Sequence, residues 1–116
     1  MKYIKSFNES YLDKDFVETS LIELMDKGYE IIFKEGDMIT IGVNASSDVV
    51  YWKDIKDYFV PLVEVLEEEY RIVYMCIATW NSGEFYYDKA RELDVNIEQI
   101  YDSEFRYFEM VIKKKQ

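Results

Sequence analysis

Three glutamates near the middle of the chain are the first residues whose spacing suggests chemistry. Glu64, Glu67 and Glu68 stand at positions i, i+3 and i+4, so on a helix they share one face. Carboxylates grouped in this way are ligands that a hard cation such as Ca²⁺ takes. The commoner origin of such a run is the solvated end of an amphipathic helix, and we favour that interpretation. A second acidic group lacks the ligand spacing of an EF-hand: Asp88, Glu92, Asp94, Glu98, Asp102 and Glu104. We therefore predict no metal site.

The residue types that catalysis usually requires are scarce in this sequence. There is no histidine, which removes the commonest general base and metal ligand, and the single cysteine, Cys76, forms neither an intramolecular disulfide nor a zinc cluster. The chain contains no GxGxxG, P-loop, GxSxG, CxxC or HExxH motif. A serine or cysteine nucleophile would have only lysine or a carboxylate as its base. We predict a protein that is not an enzyme and that uses no cofactor.

Aromatic residues are more suggestive, since the chain has 11 tyrosines, 7 phenylalanines and 2 tryptophans. Tyr86 and Tyr87 are adjacent, as are Tyr107 and Phe108, and neighbours on a strand point to opposite faces. Some of these rings must face solvent, where tyrosine favours protein interfaces because it joins a large apolar area to a polar tip. The candidate interaction surface consists of Tyr86, Tyr87, Tyr107, Glu64, Glu67 and Glu68. A tyrosine-rich sheet edge without any partner is the equal alternative.

The elements that position these residues follow from hydrophobic periodicity. Asp15 and Glu18 have the spacing of a capping box, and Gly28 stands where a left-handed cap ends a helix. Pro61 predicts a kink or a break in the second helix, because it cannot donate a backbone hydrogen bond. The predicted elements are, in chain order, a helix over 15–27, strands over 29–34 and 38–43, a helix over 52–69, strands over 71–80 and 84–87, a short helix over 96–100 and a strand over 105–112.

The order α-β-β-α-β-β-(α)-β predicts an α+β fold: a mainly antiparallel sheet of four to five strands with two main helices packed on one face. We expect one domain over 1–116, with 1–10 as an N-terminal arm or edge strand and 113–116 as a solvated tail. The strand over 71–80 is apolar on both faces, as in the centre of a sheet. Its predicted faces are Ile72, Tyr74, Cys76 and Ala78 on one side, and Val73, Met75 and Ile77 on the other.

Charge and hydropathy restrict the classes of partner that we expect this protein to bind. Asp and Glu number 24 against 14 Lys and Arg, a formal net charge of -10. Such a surface repels phosphate backbones, so we expect no direct binding to duplex nucleic acid. No apolar run reaches the roughly 18 residues of a membrane-spanning helix, so we expect no membrane association. A free cysteine within an apolar run is typical of a reducing compartment, and we predict a cytoplasmic protein.

Three segments carry a family resemblance. The opening MKYIKSFNES resembles the start shared by small accessory proteins of large tailed phages. The segments WKDIKDYFVPL at 52–62 and YRIVYM at 70–75 are similar to a helix and a strand entry that recur in that group. The resemblance implies a phage accessory protein, a class in which small acidic proteins that block host defence enzymes are frequent, and it implies a location in the host cytoplasm.

These observations lead us to expect a non-enzymatic acidic binding protein, a phage-encoded inhibitor of a host defence or nucleic-acid-processing protein with a basic surface. An alternative is a small-ligand binder that sequesters a nucleotide immune signal. Its bases would stack on aromatic rings and its phosphates would need lysines or arginines such as Arg71, Arg91 and Arg106. A further alternative is a structural protein packaged in the virion.

Outward-facing rings also predict a homodimer or a larger assembly of this chain. We expect it to form through the sheet rather than through the helix that bears Glu64, Glu67 and Glu68, because a two-fold axis places like charges against one another. The competing expectation is that the same tyrosines are reserved for the host target.

Overall fold

A five-stranded antiparallel sheet with the strand order β1-β2-β5-β3-β4 organises the protein. The computed structural model describes residues 12–46, 48–80, 82–94 and 102–115. The helices and strands are α1 Lys14–Ser20, α2 Ile22–Asp26, β1 Glu30–Lys34, β2 Ile39–Asn44, α3 Trp52–Glu69, β3 Tyr70–Thr79, β4 Gly83–Tyr87, α4 Ala90–Asp94 and β5 Phe105–Lys114. The described helices pack against one face of the sheet, and the predicted α+β class is confirmed.

The first predicted helix is divided in two. Leu21, with φ -117° and ψ 29°, leaves helical geometry between α1 and α2 while its side chain stays fully buried. Asp13 caps α1, because its carboxylate accepts the backbone N–H of Phe16 at 2.9 Å. The predicted cap at Asp15 is therefore wrong by two residues.

Gly28 ends α2 as expected. Its φ is +93°, a left-handed conformation that glycine adopts without steric cost. The backbone N–H of Gly28 donates to the Met25 carbonyl, and that of Tyr29 donates to the Leu24 carbonyl. These two bonds form a Schellman motif and turn the chain from α2 into β1.

The long helix α3 has the predicted bounds and supplies most of the helical side of the core. Its apolar stripe lies on the sheet: Trp52, Ile55, Phe59, Val60, Leu62, Val63 and Leu66 are all buried. The helix runs through Pro61 without interruption, so the predicted break is wrong. Pro61 and Asp57 are both exposed, and water can therefore reach the Asp57 carbonyl that proline leaves without a donor.

The strand β3 lies between β5 and β4, as its apolar character predicted. Its register with β5 shifts between Ile72 and Tyr74, which makes Val73 an extra residue. Ile72 consequently pairs with Ile112 and is buried on the same face as Met75. The predicted side for Ile72 is wrong for this reason, since a bulge reverses the alternation of faces.

The C-terminal part of the chain differs from expectation in its boundaries. β5 continues to Lys114, where Lys113 and Lys114 pair with Arg71 and Tyr70, so the first two residues of the predicted tail belong to the strand. The described part of the connection before β5 contains the helix α4, at Ala90–Asp94. The helix predicted over 96–100 and the arm predicted over 1–10 lie outside the described residues.

An aromatic cluster forms the centre of the core. The ring centroid of Phe59 lies 4.6 Å from that of Phe108 and 5.5 Å from that of Trp52. Phe105 completes the cluster at 5.9 Å from Phe59. These rings join α3 to β5, the central strand of the sheet, and so hold the helix layer in place.

Candidate interaction surface

The other face of the sheet, which we call the open face, is turned away from the described helices. Strand register aligns the residues of this face in three rows that cross the sheet, and Cys76, Ala78 and Val111 are buried within them. The rows are Lys34, Thr40, Val111 and Tyr74; Ile32, Gly42, Glu109, Cys76 and Tyr86; and Glu30, Asn44, Tyr107, Ala78 and Glu84. The open face therefore combines three tyrosines with several carboxylates, whereas the covered face is almost entirely apolar.

Glu109 is the centre of a hydrogen-bonded group on the open face. Its carboxylate accepts the Tyr74 hydroxyl at 2.7 Å on Oε1 and the Tyr107 hydroxyl at 3.3 Å on Oε2. The hydrogen bond to Glu109, with burial, raises the pKa of Tyr74 to about 12. Burial, followed by the charge of Glu109, raises the pKa of Tyr107. Both phenols therefore remain neutral donors far above neutral pH.

Gly42 makes room for one of these tyrosines. A Cβ atom placed on Gly42 would lie 2.9 Å from the Tyr107 hydroxyl oxygen and 3.5 Å from the Ile32 Cβ. The Tyr107 side chain thus reaches across β2, over a position that only glycine leaves open. This close approach orients the Tyr107 hydroxyl toward Glu109.

Tyr86 is the most exposed tyrosine of the three rows, with 61% of its surface accessible. Its ring centroid lies 5.8 Å from that of Tyr74, and the two planes meet at 58°. The Tyr86 hydroxyl donates to Glu84 Oε1 at 3.2 Å. The adjacent thiol of Cys76 and the Glu84 carboxylate raise the pKa of Tyr86 to about 12. The two tilted rings form what we call the Tyr74–Tyr86 corner, of which Tyr86 is the more exposed side.

A second exposed aromatic group lies at the Glu84 end of the open face. Trp80 is 68% exposed, and the guanidinium carbon of Arg106 lies 5.3 Å from its ring centroid. Arg106 Nη2 is 3.9 Å from Glu84 Oε2. Register shifts between Ala78 and Thr79, which makes Arg106 an extra residue of β5 and turns it outward. An aromatic ring, a guanidinium and a carboxylate are thus arranged side by side.

The structure divides the six residues of the predicted interaction surface between separate regions. Tyr86 and Tyr107 lie on the open face, but Tyr87 is half-buried on the covered face, where it packs against the core. Glu64 and Glu68 are exposed on α3. Glu67 is occupied structurally, because its carboxylate accepts the backbone N–H of Ala90 at 3.2 Å and so holds the start of α4.

Several residues of the open face were missed from the sequence. Glu109 stands two residues after Tyr107, so alternation along β5 was a sufficient signal that both share a face. Tyr74 and Tyr86 meet only through strand pairing, and no local pattern predicts that contact. Trp80 and Arg106 are brought together by a bulge, which also has no local signature here.

A groove of about 490 Å³ borders the N-terminal half of β3, beyond the end of β4. Its charged lining is mixed, with Glu67 and Asp88 beside Arg71, Lys89 and Lys115. The aromatic residue of the lining, Tyr70, is 8% exposed. Side chains of both charges line this groove, so it offers neither a clear anion site nor an exposed stacking platform.

Some classes of site are missing from the part of the chain that the structure describes. Over these residues, no group of three or more Cys, Asp and Glu side chains is placed to hold a metal ion. Within the same ranges, no helix has the length and apolar character needed to cross a membrane. Comparison with protein-family models, with curated proteins and with solved structures found no match to this chain.

Proposed function

We propose that this chain is a non-enzymatic acidic binding protein whose open face contacts a partner protein with a basic surface. In the setting implied by the phage resemblance, it acts in the host cytoplasm as an inhibitor of a defence or nucleic-acid-processing protein. The observation that carries the proposal is the presence of two exposed aromatic side chains, Trp80 and Tyr86, on a sheet face bordered by carboxylates.

The composition of the open face supports a protein partner. Trp, Tyr and Arg are the residue types that dominate binding energy at interfaces, and Trp80, Tyr86 and Arg106 lie together here. Exposed aromatic side chains on the same side of a sheet mark a contact surface more often than isolated ones do. The hydrogen bonds among Tyr74, Tyr107 and Glu109 fix the side chains around them before any partner arrives.

The net charge supports a partner of opposite sign. A charge of -10 speeds the approach of a basic surface and raises specificity, since like-charged surfaces are rejected. Basic clefts are the surfaces with which nucleic-acid-processing proteins hold phosphate backbones. An acidic protein seated on such a cleft competes with the nucleic acid, and this is the inhibition that we propose.

Capture from host lysate with matched variants tests this function. The tagged wild type, the double variant Trp80→Ala/Tyr86→Ala and the control Val65→Ala serve as baits. Val65 is a suitable control because it is 51% exposed but lies on α3, away from the open face. Circular dichroism confirms that all three fold.

We expect wild type and Val65→Ala to retain the same basic protein, and the double variant to lose it. A higher salt concentration should release the partner, because salt screens the attraction between opposite charges. Retention of that protein by the double variant would contradict the use of the open face. Light scattering of the purified chain separates the competing outcome, a homodimer through the same face, from a heterologous complex.

A further inference from the structure

We infer that the corner formed by the Tyr74 and Tyr86 rings, beside the carboxylate of Glu109, receives a lysine or arginine side chain of the partner. This inference rests on the proposed function and specifies the chemistry of the contact. The corner has two aromatic rings 5.8 Å apart at 58°, and the Tyr74 hydroxyl is 2.7 Å from Glu109.

The geometry matches what a cation needs. A lysine ammonium or arginine guanidinium is attracted to the face of a tyrosine ring when it lies within about 6 Å of the centroid. The largely exposed Tyr86 ring offers such a face, with the Tyr74 ring beside it. Each phenol also donates a hydrogen bond to a carboxylate, Tyr74 to Glu109 and Tyr86 to Glu84, which polarises the ring toward negative charge.

The molecule itself shows how its open face holds a guanidinium. Arg106 lies between the Trp80 ring and the Glu84 carboxylate, so aromatic ring and carboxylate already share one cation at the neighbouring position. The Tyr74–Tyr86 corner repeats this combination. Among the residues that the structure describes, no lysine or arginine forms an ion pair with Glu109. The described neighbours in its row are Gly42 and Cys76, which carry no positive charge.

The corner is also accessible. Tyr86 is largely exposed, and Tyr74 and Glu109 are half-buried rather than enclosed. A long, flexible cationic side chain therefore reaches the rings without any rearrangement of the sheet. Since the net charge of the protein is -10, the approach of such a side chain is favoured at long range as well.

Peptide binding to the full chain tests the inference. The probes are an arginine-rich peptide and the same peptide with citrulline, which is neutral and nearly isosteric, at each arginine. The key pair of variants is Glu109→Gln and Glu64→Gln, which remove the same charge from the open face and from α3. Tyr86→Leu and Tyr86→Phe separate loss of the ring from loss of the hydroxyl.

We expect Glu109→Gln and Tyr86→Leu each to weaken binding of the arginine peptide by about fivefold to tenfold. Glu64→Gln should change it less than about twofold, because an exposed distant charge is screened. Tyr86→Phe should retain most of the affinity, and the citrulline peptide should not bind. Ring resonances of Tyr74 and Tyr86 should shift on addition of the arginine peptide only.

Equal losses in Glu109→Gln and Glu64→Gln would overturn the inference, because binding would then depend on net charge alone. The inference would also be overturned if the purified chain self-associates and Arg106→Gln abolishes this self-association. That result would assign the corner to a second copy of the chain. If capture of the host protein depends on Trp80 and Tyr86 but the affinity for the arginine peptide is unchanged in Tyr86→Leu, the proposed function stands and the cation site is wrong. If, in addition, capture of the host protein does not depend on Trp80 and Tyr86, both the proposed function and the cation site are wrong.

Discussion

The two faces of the sheet use the same strands in opposite ways. On β5, Phe108, Met110 and Ile112 are fully buried under the helices, while Tyr107 and Glu109, on either side of Phe108 in sequence, lie on the open face. The covered side chains have almost no polar atoms to satisfy. The polar atoms of the open-face side chains form hydrogen bonds with one another, in which tyrosine hydroxyls donate to the Glu109 carboxylate.

This contrast separates the residues that stabilise the domain from those that we propose for recognition. Burial of apolar area under α1, α3 and α4 supplies the free energy of folding, at about 25 cal/mol per Å². Fewer fully buried apolar side chains lie on the open face, and the contact that we propose uses its exposed residues. Substitutions on the two faces should have effects of different size and, in one case, of different sign.

The largest effect is expected at the centre of the covered face. Phe108→Ala removes a fully buried ring that lies 4.6 Å from Phe59, and it should lower the free energy of unfolding by roughly 3–5 kcal/mol. The open-face substitution Tyr86→Ala should cost less than about 0.5 kcal/mol. Urea denaturation followed by circular dichroism measures both. Similar losses at the two positions would show that the open face belongs to the core.

An intermediate effect is expected where the open face itself is tightly packed. Gly42→Ala places a Cβ 2.9 Å from the Tyr107 hydroxyl and should destabilise by roughly 1–3 kcal/mol through overpacking. In a Tyr107→Phe background the oxygen is gone, and the cost of Gly42→Ala should fall. A double-mutant cycle measures this coupling. Additive losses would mean that Tyr107 moves away freely.

Alkaline pH should reveal how much the hydrogen bond between Tyr74 and Glu109 contributes to stability. The hydrogen bond to Glu109 raises the pKa of Tyr74 from 10.0 to about 12 in the folded chain. The stabilisation from this shift is present in full below pH 10.0 and is lost as pH rises toward about 12. Glu109→Gln should return the pKa of Tyr74 toward 10.0 and flatten that part of the stability curve.

Tyrosinate absorbance and urea midpoints across the alkaline range measure this change. Glu64→Gln is the control, since it removes an equal charge far from Tyr74. Identical curves for wild type and Glu109→Gln would show that the hydrogen bond does not govern this titration.

The smallest changes in the free energy of unfolding are expected when a tyrosine on each face of the sheet is replaced by phenylalanine. Tyr29 is 4% exposed, and its hydroxyl has no hydrogen-bond partner within the described ranges. Tyr29→Phe should therefore raise the free energy of unfolding by up to about 1 kcal/mol. Tyr74→Phe removes a hydroxyl bonded to a carboxylate and should lower it by about 1 kcal/mol. Thermal and urea unfolding measure both, and equal signs would contradict the contrast between the faces.

Long amphipathic segments and strand alternation were readable from the sequence. The bounds of α3 were predicted to the residue, because a wide apolar stripe recurs at helical spacing over five turns. The opposite orientations of Tyr107 and Phe108 also followed from alternation. Helix boundaries near polar residues were harder to predict. Asp13 and Asp15 are both aspartates in positions that suit a cap, and Asp13 is the one that caps α1.

The candidate site was only partly predictable. Tyr86 and Tyr107 were placed among outward tyrosines, but the choice between Tyr86 and Tyr87 needs the register with β3. Glu67 was grouped with Glu64 and Glu68 on helical spacing alone. Its actual role depends on Ala90, which is distant in sequence and adjacent only in the folded chain.

By itself, the sequence determined the fold class, the long helix, the charge and the scarcity of catalytic residue types, because each depends on composition or on periods of a few residues. Only the tertiary structure decided which tyrosines meet a carboxylate, which face carries Ile72, and that Arg106 lies on Trp80. Strand order and bulges bring these residues together across long sequence separations. Such pairings arise from the packing of the whole sheet and leave no local pattern.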